Sequence, residues 1–345
     1  MPTPKTIPLS ILDLSFVRDG DTPAQALRDT LELAQHAETW GYRRFWLAEH
    51  HNMEGIASAA TSVAIGFVAA GTSTIRVGAG GIMLPNHAPL VIAEQFGTLE
   101  SLYPGRIDLG LGRAPGTDRP AMRALRRDLL SNGDTFPDDV RELQGYFEPV
   151  QPGQLVQAVP GAGLHVPLYL LGSSDFGARL AAELGLPFAF ASHFAPAYLG
   201  TALALYRHHF RPSAVLERPY AMVACNAVVA ETDAEAARLF TTAQMGFLGM
   251  VRGARSKMRP PAESMHGLWS PAEEEAVGKM LQYAYFGAPE TVRRGLGALL
   301  EETNADEIIT VARIYDQAAR LRSFELLSGV GISLSRSARH PAGIG

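Results

Sequence analysis

The apolar runs RFWLA (residues 44–48), IRVGAGGIML (75–84) and IDLGL (107–111) are separated by ASAATSVAIGFVAA (57–70) and LVIAEQFGTLESL (90–102). Short apolar runs of this kind are typical of buried strands, and the two longer stretches have the apolar spacing of helices. Strands that alternate with helices form parallel sheets joined by right-handed crossovers. This part of the chain therefore predicts an α/β fold with a parallel sheet.

The same alternation continues on both sides of this stretch. Strands are predicted at residues 7–15, 44–48, 75–84, 107–111, 168–171, 188–191, 221–230 and 307–312. A helical segment follows each strand, and eight such units predict a (β/α)8 TIM barrel. An open doubly wound sheet is the structural alternative until the motifs are considered.

Two segments interrupt the alternation. Residues 113–167 contain two predicted helical pieces, 122–130 and 138–146, and a section rich in proline and glycine. Their apolar content cannot support a separate core, so we interpret them as an excursion from the barrel after the fourth strand. Residues 249–271, after the helix that follows the seventh strand, are predicted to form a long mobile loop. We expect a single barrel domain over residues 1–330 and a C-terminal tail over 331–345.

The composition fits a folded protein with a small-molecule ligand. Of the 345 residues, 47% are hydrophobic and 19% are charged, which allows a full core and argues against disorder. The net charge is −5 and the 30 basic residues are scattered, so we expect no nucleic-acid partner. The N-terminus lacks a signal-peptide pattern and no apolar stretch is long enough for a membrane span, so we expect a cytoplasmic protein with no membrane partner. The one cysteine, Cys225, lies in an apolar run and is expected to be a buried hydrophobic side chain.

In a barrel, chemistry takes place on the loops that follow the C-terminal strand ends. Glu49, His50 and His51 come directly after the second strand. Two histidines beside a carboxylate favour a functional interpretation, because histidine titrates near neutrality and strand ends face the pocket. The alternatives are polar strand ends without function, or metal ligands. No HxH or HExxH pattern supplies further ligands, so we expect no metal.

Gly80 and Gly81 lie inside the third predicted strand. Paired glycines weaken a strand and usually mark a close approach of the backbone. Tight packing in the barrel would explain them, and so would a flat ring lying against the strand.

A candidate phosphate site follows from the fourth and fifth strands. Arg113 ends the fourth strand with a forked, permanently charged donor, although an internal salt bridge would also explain it. Ser173, Ser174 and Gly177 follow the fifth strand and begin a helix, where backbone N–H groups form an anion site or an ordinary N-cap. Because the two strands are neighbours in the ring, Arg113 and this helix start are expected to converge. No GxGxxG follows the first strand, which argues against a Rossmann dinucleotide site.

Several of these motifs occur together in a known family. The four segments WLAEHH (46–51), GIMLP (81–85), RIDLGLGR (106–113) and GLP (185–187) resemble, in this order, the bacterial luciferase-like monooxygenases, and the resemblance extends to ADEI (305–308). The resemblance covers nearly the whole chain, and four motifs in order are more specific than any one. Within the family, the chain is most similar to single-chain members that are not clearly light-emitting.

The resemblance implies a (β/α)8 barrel that uses reduced FMN. His50 matches the family histidine thought to act beside the flavin, and Gly80-Gly81 match a pair that often has a non-prolyl cis peptide. Arg113 matches the arginine that contacts the flavin phosphate. Ser173, Ser174 and Gly177 occupy the helix start that binds this phosphate, where light-emitting members carry different side chains. This difference puts the side-chain contacts to the phosphate in doubt, whereas the backbone N–H donors of the helix start would remain.

The function implied by the resemblance is a monooxygenase reaction. FMNH2 from a separate flavin reductase would react with O2 to form a C4a-hydroperoxyflavin, which oxidises a small organic substrate. His50 would stabilise that adduct or move a proton. His51 and His193 are candidate substrate-pocket residues, and residues 249–271 are a candidate lid. A homodimer is expected from the family pattern.

Other functions remain open on the sequence alone. The nearest alternative is a dehydrogenase on the same fold that uses coenzyme F420 and transfers hydride without oxygen. A non-catalytic flavin-binding protein and a metal-dependent barrel hydrolase are the others. The sequence does not identify the substrate.

Overall fold

A computed structural model describes residues 5–114, 119–125, 135–254, 256–333 and 335–336 of this protein. Its strands are, in chain order, β1 (Lys5–Thr6), β2 (Leu9–Asp13), β3 (Arg44–Leu47), β4 (Arg76–Met83), β5 (Ile107–Gly112), β6 (Leu168–Gly172), β7 (Phe188–Phe190), β8 (Ala221–Val229), β9 (Ala284–Gly287), β10 (Glu307–Val311) and β11 (Ser335–Arg336). The strands β2 to β8 pair in parallel in sequence order, and β10 pairs with both β8 and β2. The sheet therefore closes, which confirms the (β/α)8 barrel and removes the open-sheet alternative.

The helices lie between the strands. They are α1 (Pro23–Thr39), α2 (Thr61–Ala70), α3 (Pro89–Leu102), α4 (Arg119–Ala124), α5 (Phe136–Phe147), α6 (Asp175–Leu184), α7 (Leu199–His209), α8 (Asp233–Val251), α9 (Pro271–Met280), α10 (Pro289–Thr303) and α11 (Gln317–Ser333). Within the described ranges, no helix is both long enough and apolar enough to cross a bilayer.

Alternate residues of each strand point into the barrel and the others face the helices. The interior therefore consists of three layers, which are clear along β2 and β10. Ser10 and Glu307 lie in the bottom layer, and Leu12 and Ile309 lie in the middle layer with Trp46. Leu14 and Val311 form part of the top layer, at the C-terminal end of the strands.

The bottom layer is charged. Arg44, on β3, is only 1% exposed; its Nε donates to Glu307 Oε1 at 2.8 Å and its Nη1 to Asp108 Oδ2 at 2.6 Å. Nη1 also donates to the hydroxyl of Tyr169 at 2.7 Å, and Trp46 Nε1 donates to Asp108 Oδ2 at 3.1 Å. The buried arginine therefore pairs with two carboxylates from different strands, and Arg76 supplies a second cation to Asp108 at 2.6 Å.

The sequence prediction missed a ninth parallel strand. β9 pairs with the second half of β8, with Ala284 opposite Asn226, while β7 pairs only with residues 221–223 on the same edge. β8 therefore extends above the barrel, and β9 continues the sheet where β7 has ended. The short run of β9 is preceded by α9, so no long apolar pattern marks it.

Other boundaries also differ from the prediction. α8 runs to Val251 and α9 starts at Pro271, so the long loop covers residues 252–270. α11 extends to Ser333, and Ser335–Arg336 pairs antiparallel with Lys5–Thr6. In the excursion, α4 begins at Arg119, earlier than predicted, and the predicted helical residues 126–130 lie outside the described ranges.

Cys225 lies in the middle of β8, and its side chain is fully buried. Burial raises the pKa of its thiol to about 12, so the thiol stays protonated at neutral pH. This agrees with the sequence interpretation of Cys225 as a structural side chain.

Candidate active site

A cavity of about 410 Å³ lies at the C-terminal end of the barrel strands. Its walls come from the loops after β2, β3, β7 and β10, from the middle of β8, and from one face of α8. Residues 256–259 of the long loop close it on one side. This part of the loop is held in place because the amide of Met258 donates to Val17 O and its carbonyl accepts from Asp19 N. The loop therefore forms a wall of the cavity, which is the position expected for a lid.

His50 lines this cavity, but the adjacent His51 does not. The ring of His51 is directed to Glu49, whose Oε1 lies 2.8 Å from His51 Nε2. The prediction of His51 as a pocket residue is therefore not supported by its placement, because the buried carboxylate of Glu49 holds its ring elsewhere. Of the two adjacent histidines, only His50 therefore lines the cavity.

Glu49 is the centre of a hydrogen-bond cluster behind His50. It is 1% exposed, and it accepts from the amide of Met83 at 2.9 Å and lies 3.0 Å from His87 Nε2. Burial alone would raise the pKa of Glu49, but the bonds from His87, Met83 and His51 hold it below its usual value. The ionised carboxylate thus joins the His50 loop to the end of β4.

His193 follows β7 and lines the same cavity, as predicted for a pocket residue. Its pKa is lowered to about 3, first by burial and then by the nearby Arg313 and His50 side chains. The imidazole of His193 is therefore neutral at physiological pH. Its Nδ1 is buried and has no hydrogen-bond partner among the described residues.

The peptide bond between Gly80 and Gly81 is cis, as the resemblance implies, and it lies where the register of β4 against β5 shifts. A Cβ on Gly80 would lie 2.7 Å from Leu12 Cδ1, and a Cβ on Gly81 would lie 2.6 Å from the carbonyl oxygen of Gly110. Both spaces are filled by the protein itself. Tight packing therefore explains the two glycines, and any flavin contact there would involve the backbone.

Arg113 and the start of α6 converge, as the order of the strands predicts. The guanidinium carbon of Arg113 lies 4.0 Å from the ring centroid of Phe176, in the first turn of α6. Arg113 is exposed, and among the described residues it forms no ion pair and no hydrogen bond. The internal salt bridge considered from the sequence is thus absent from this part of the chain.

The helix start itself is open to an anion. Ser174 is the N-cap residue of α6, but its side chain does not cap the helix. Ser173 and Ser174 are half-buried, and Gly177 packs against Gly172 at the end of β6, with a Cβ position 3.4 Å from the Gly172 Cα. The first N–H groups of α6, the two hydroxyls and Arg113 together make a suitable donor set for a phosphate group.

Several cavity residues were not identified from the sequence. The most important is Arg313, which follows β10 and lines the cavity together with Asn226 and Thr242. Arg313 directly follows a buried strand, as Arg113 does. This position after a strand could have identified Arg313 as a site residue from the sequence. Asn226 lies within an apolar strand and Thr242 within a helix, so no pattern marks them. Across the described residues, no group of three His, Cys, Asp or Glu side chains is arranged to hold a metal ion.

Comparisons with known proteins agree with this geometry. The family model for the luciferase-like monooxygenases matches residues 7–307. A "Luciferase-like monooxygenase" of Escherichia coli (strain K12) is 54% identical over 328 residues, which cover 95% of this chain and 98% of that protein. The crystal structure of apo-MsnO8 superposes with a TM-score of 0.83 at 34% identity, covering 96% of this chain and all of that one.

More distant structures share the fold with different cofactors. The oxygenating constituent of 3,6-diketocamphane monooxygenase from Pseudomonas putida, in complex with FMN, has a TM-score of 0.69 at 18% identity, over 96% of this chain and 100% of that one. An F420-dependent secondary alcohol dehydrogenase has a TM-score of 0.67 at 15% identity, covering 95% of this chain and 99% of that one. At this identity the likeness shows the barrel alone. The match of the family model and the identity to the Escherichia coli protein show that this chain belongs to the luciferase-like monooxygenase family.

Proposed function

We propose that this protein is a flavin-dependent monooxygenase that uses FMNH2 and O2 to oxidise a small organic substrate. The observation that carries the proposal is the position of two sites at the same end of the barrel. Arg113 and the α6 start form a phosphate-binding donor set, and His50 lines a separate, largely apolar cavity. An enzyme that joins a phosphate-bearing cofactor to an organic substrate requires this combination.

The residues present fit FMN. Arg113 and the N–H groups of α6 would hold its phosphate, and Ser173 and Ser174 would add hydroxyl donors. When bound in its reduced form, FMN would supply the two electrons that activate O2. Overall, FMNH2, O2 and the substrate give FMN, water and the oxygenated substrate.

The protein's own side chains then have defined tasks. His50 would donate or accept the proton at the reacting oxygen, since its imidazole lines the cavity and imidazole is the side chain most often used for proton transfer in catalysis. Glu49 and its partners fix the loop that presents His50. Residues 256–259 would keep water from the cavity during the reaction.

Two partners belong to the proposal. A separate reductase would deliver FMNH2, and a second copy of the chain would form a homodimer. The second is supported by apolar side chains that remain exposed on neighbouring helices: Val63 and Phe67 on α2 are 73% and 44% exposed, and Leu102 on α3 is 63% exposed.

The cofactor is tested by anaerobic binding followed by mixing with O2. The protein is titrated with FMNH2 and with reduced F420, and each complex is then mixed with oxygenated buffer in a stopped-flow spectrometer. We expect FMNH2 to bind, and its reoxidation on the protein to follow two separate phases at rates that differ from free FMNH2. Oxygen uptake should then depend on an organic substrate found by screening.

Each other outcome favours a different function. Binding of reduced F420 without binding of FMNH2 would replace the proposal with a dehydrogenase. Binding of FMNH2 with reoxidation unchanged from solution, and no substrate-dependent oxygen uptake, would indicate a non-catalytic flavin-binding protein.

The phosphate site is tested by replacing Arg113 with methionine. Loss of a charge-assisted hydrogen bond costs about 1.5–3 kcal/mol, so FMN affinity should fall by about 10- to 100-fold. Riboflavin has no phosphate, and its affinity should change little. Fluorescence titrations with FMN and riboflavin measure both. Arg179→Met, on the exposed face of α6, is the matched control and should leave both affinities unchanged. Equal losses for FMN and riboflavin in Arg113→Met would contradict the assignment.

A further inference from the structure

Arg313 occupies a specific slot in the cavity wall. Its guanidinium carbon lies 4.7 Å from the ring centroid of Phe16 and 5.2 Å from that of Phe247, so aromatic rings cover it on two sides. On α8, a Cβ at Gly246 would lie 2.5 Å from Arg313 Nη1. Glycine at position 246 therefore leaves the room in which the guanidinium lies.

The charge of Arg313 has no partner in the part of the chain that the structure describes. Among the described residues, no carboxylate and no hydrogen-bond acceptor contacts its guanidinium, and no Asp or Glu lines the cavity. Burial lowers the pKa of Arg313 to about 10, so it is still protonated at neutral pH. Arg313 is half-buried, and a cation that has lost part of its hydration without gaining a counter-ion is costly.

The neighbouring side chains do not offset this charge. His193, which lines the same cavity, is neutral. The other two cations of the cavity differ from Arg313. Lys257 Nζ donates to the carbonyl of Asp21 at 3.0 Å, and Arg259 is exposed to solvent. Arg313 is therefore the cavity cation that gains most from a bound anion.

We propose that the substrate is an organic anion whose carboxylate pairs with the Arg313 guanidinium inside the cavity. The inference rests on the proposed function and specifies the substrate class of that site. A carboxylate matches the forked guanidinium in shape and charge, and its second oxygen can accept from a neutral His193. The apolar part of the substrate packs against the methionine and phenylalanine side chains of the wall, namely Met245, Phe247, Met250 and Met258. Anchoring the carboxylate at Arg313 fixes the orientation of the remainder relative to His50.

Matched probe pairs test the inference without flavin or oxygen. Straight-chain alkanoates from acetate to decanoate and the corresponding primary amides are titrated into the flavin-free protein, and binding is measured by calorimetry or ligand-detected NMR. We expect at least one alkanoate to bind about 10-fold or more tightly than its amide. Arg313→Met should abolish this preference, whereas Arg259→Met, which removes an exposed cation from the same cavity, should retain it.

A second variant guards against a folding defect in Arg313→Met. Gly246→Ala keeps the arginine but fills its slot, and alanine is well tolerated in a helix, so it should also reduce the preference for the carboxylate. The inference is overturned if no alkanoate binds better than its amide, or if the preference survives both Arg313→Met and Gly246→Ala. Because no cofactor is present, this failure is separate from a failure to bind FMNH2.

Discussion

Replacing Arg44 with methionine is expected to lower the free energy of unfolding by about 3–5 kcal/mol. Methionine fills much of the same volume but removes the one fully buried cation that pairs with both Glu307 and Asp108. Both carboxylates are fully buried, and among the described residues they then keep only partly exposed arginines, Arg76 beside Asp108 and Arg43 at 3.5 Å from Glu307. Removing one member of a buried charged cluster is more costly than replacing the whole cluster, because the remaining charges keep their desolvation penalty. Urea denaturation followed by circular dichroism measures the loss.

The matched control is Arg293→Met, which removes an exposed partner of Glu290 on α10. Such surface pairs contribute about 0–1 kcal/mol, so this variant should unfold close to the wild type. Adding Glu307→Gln to Arg44→Met should recover part of the stability, because one uncompensated charge is then removed. A loss in Arg44→Met no larger than in Arg293→Met would show that the cluster does not depend on its arginine.

Replacing His50 with alanine is expected to reduce turnover by about 100- to 10,000-fold, which is the usual contribution of a general acid or base. Flavin binding should persist, because the phosphate donors lie at Arg113 and α6 and not at His50. Turnover is measured as substrate-dependent oxygen uptake with a flavin reductase, and flavin affinity by fluorescence titration.

The comparison variant is His51→Gln. Glutamine can still donate to Glu49, and position 51 does not line the cavity, so turnover should remain within a few-fold of the wild type (about 3-fold). Similar losses at both positions would indicate that the loop as a whole, and not the imidazole of His50, supports the reaction.

The barrel was predictable because its strands are buried on both faces. Continuous apolar runs such as 221–230 report this directly, and each has a helix after it. β9 was not predictable, because it is four residues long and only partly buried, and its role is to extend β8 beyond the ring. The charged bottom layer was not predictable either. Its Arg44 and Glu307 are 263 positions apart, and a strand that begins with arginine normally places that side chain in solvent.

The site was predicted better where residues follow strands than where they lie on helices. His50, Arg113 and His193 stand at strand ends, and the structure places His50 and His193 in one cavity and Arg113 beside α6. The difference between His50 and His51 depends on the direction of two adjacent side chains, which spacing does not specify. The slot for Arg313 depends on Gly246 of α8, a contact between distant parts of the chain.

Because the interior of the barrel is filled, the cavity is closed at the end that faces the barrel. Below Leu14 and Val311, the space among the described strands is occupied by Trp46 and Tyr169 and then by the Arg44 cluster. A molecule that occupies the cavity would therefore enter and leave at the C-terminal end of the strands, and a bound product would block the arrival of the next molecule. Product release at this end would limit the turnover rate whenever the chemical step is faster than release. Shortening or stiffening residues 256–259 would then change the rate at which product leaves and substrate enters, and would leave the barrel and its charged bottom layer intact.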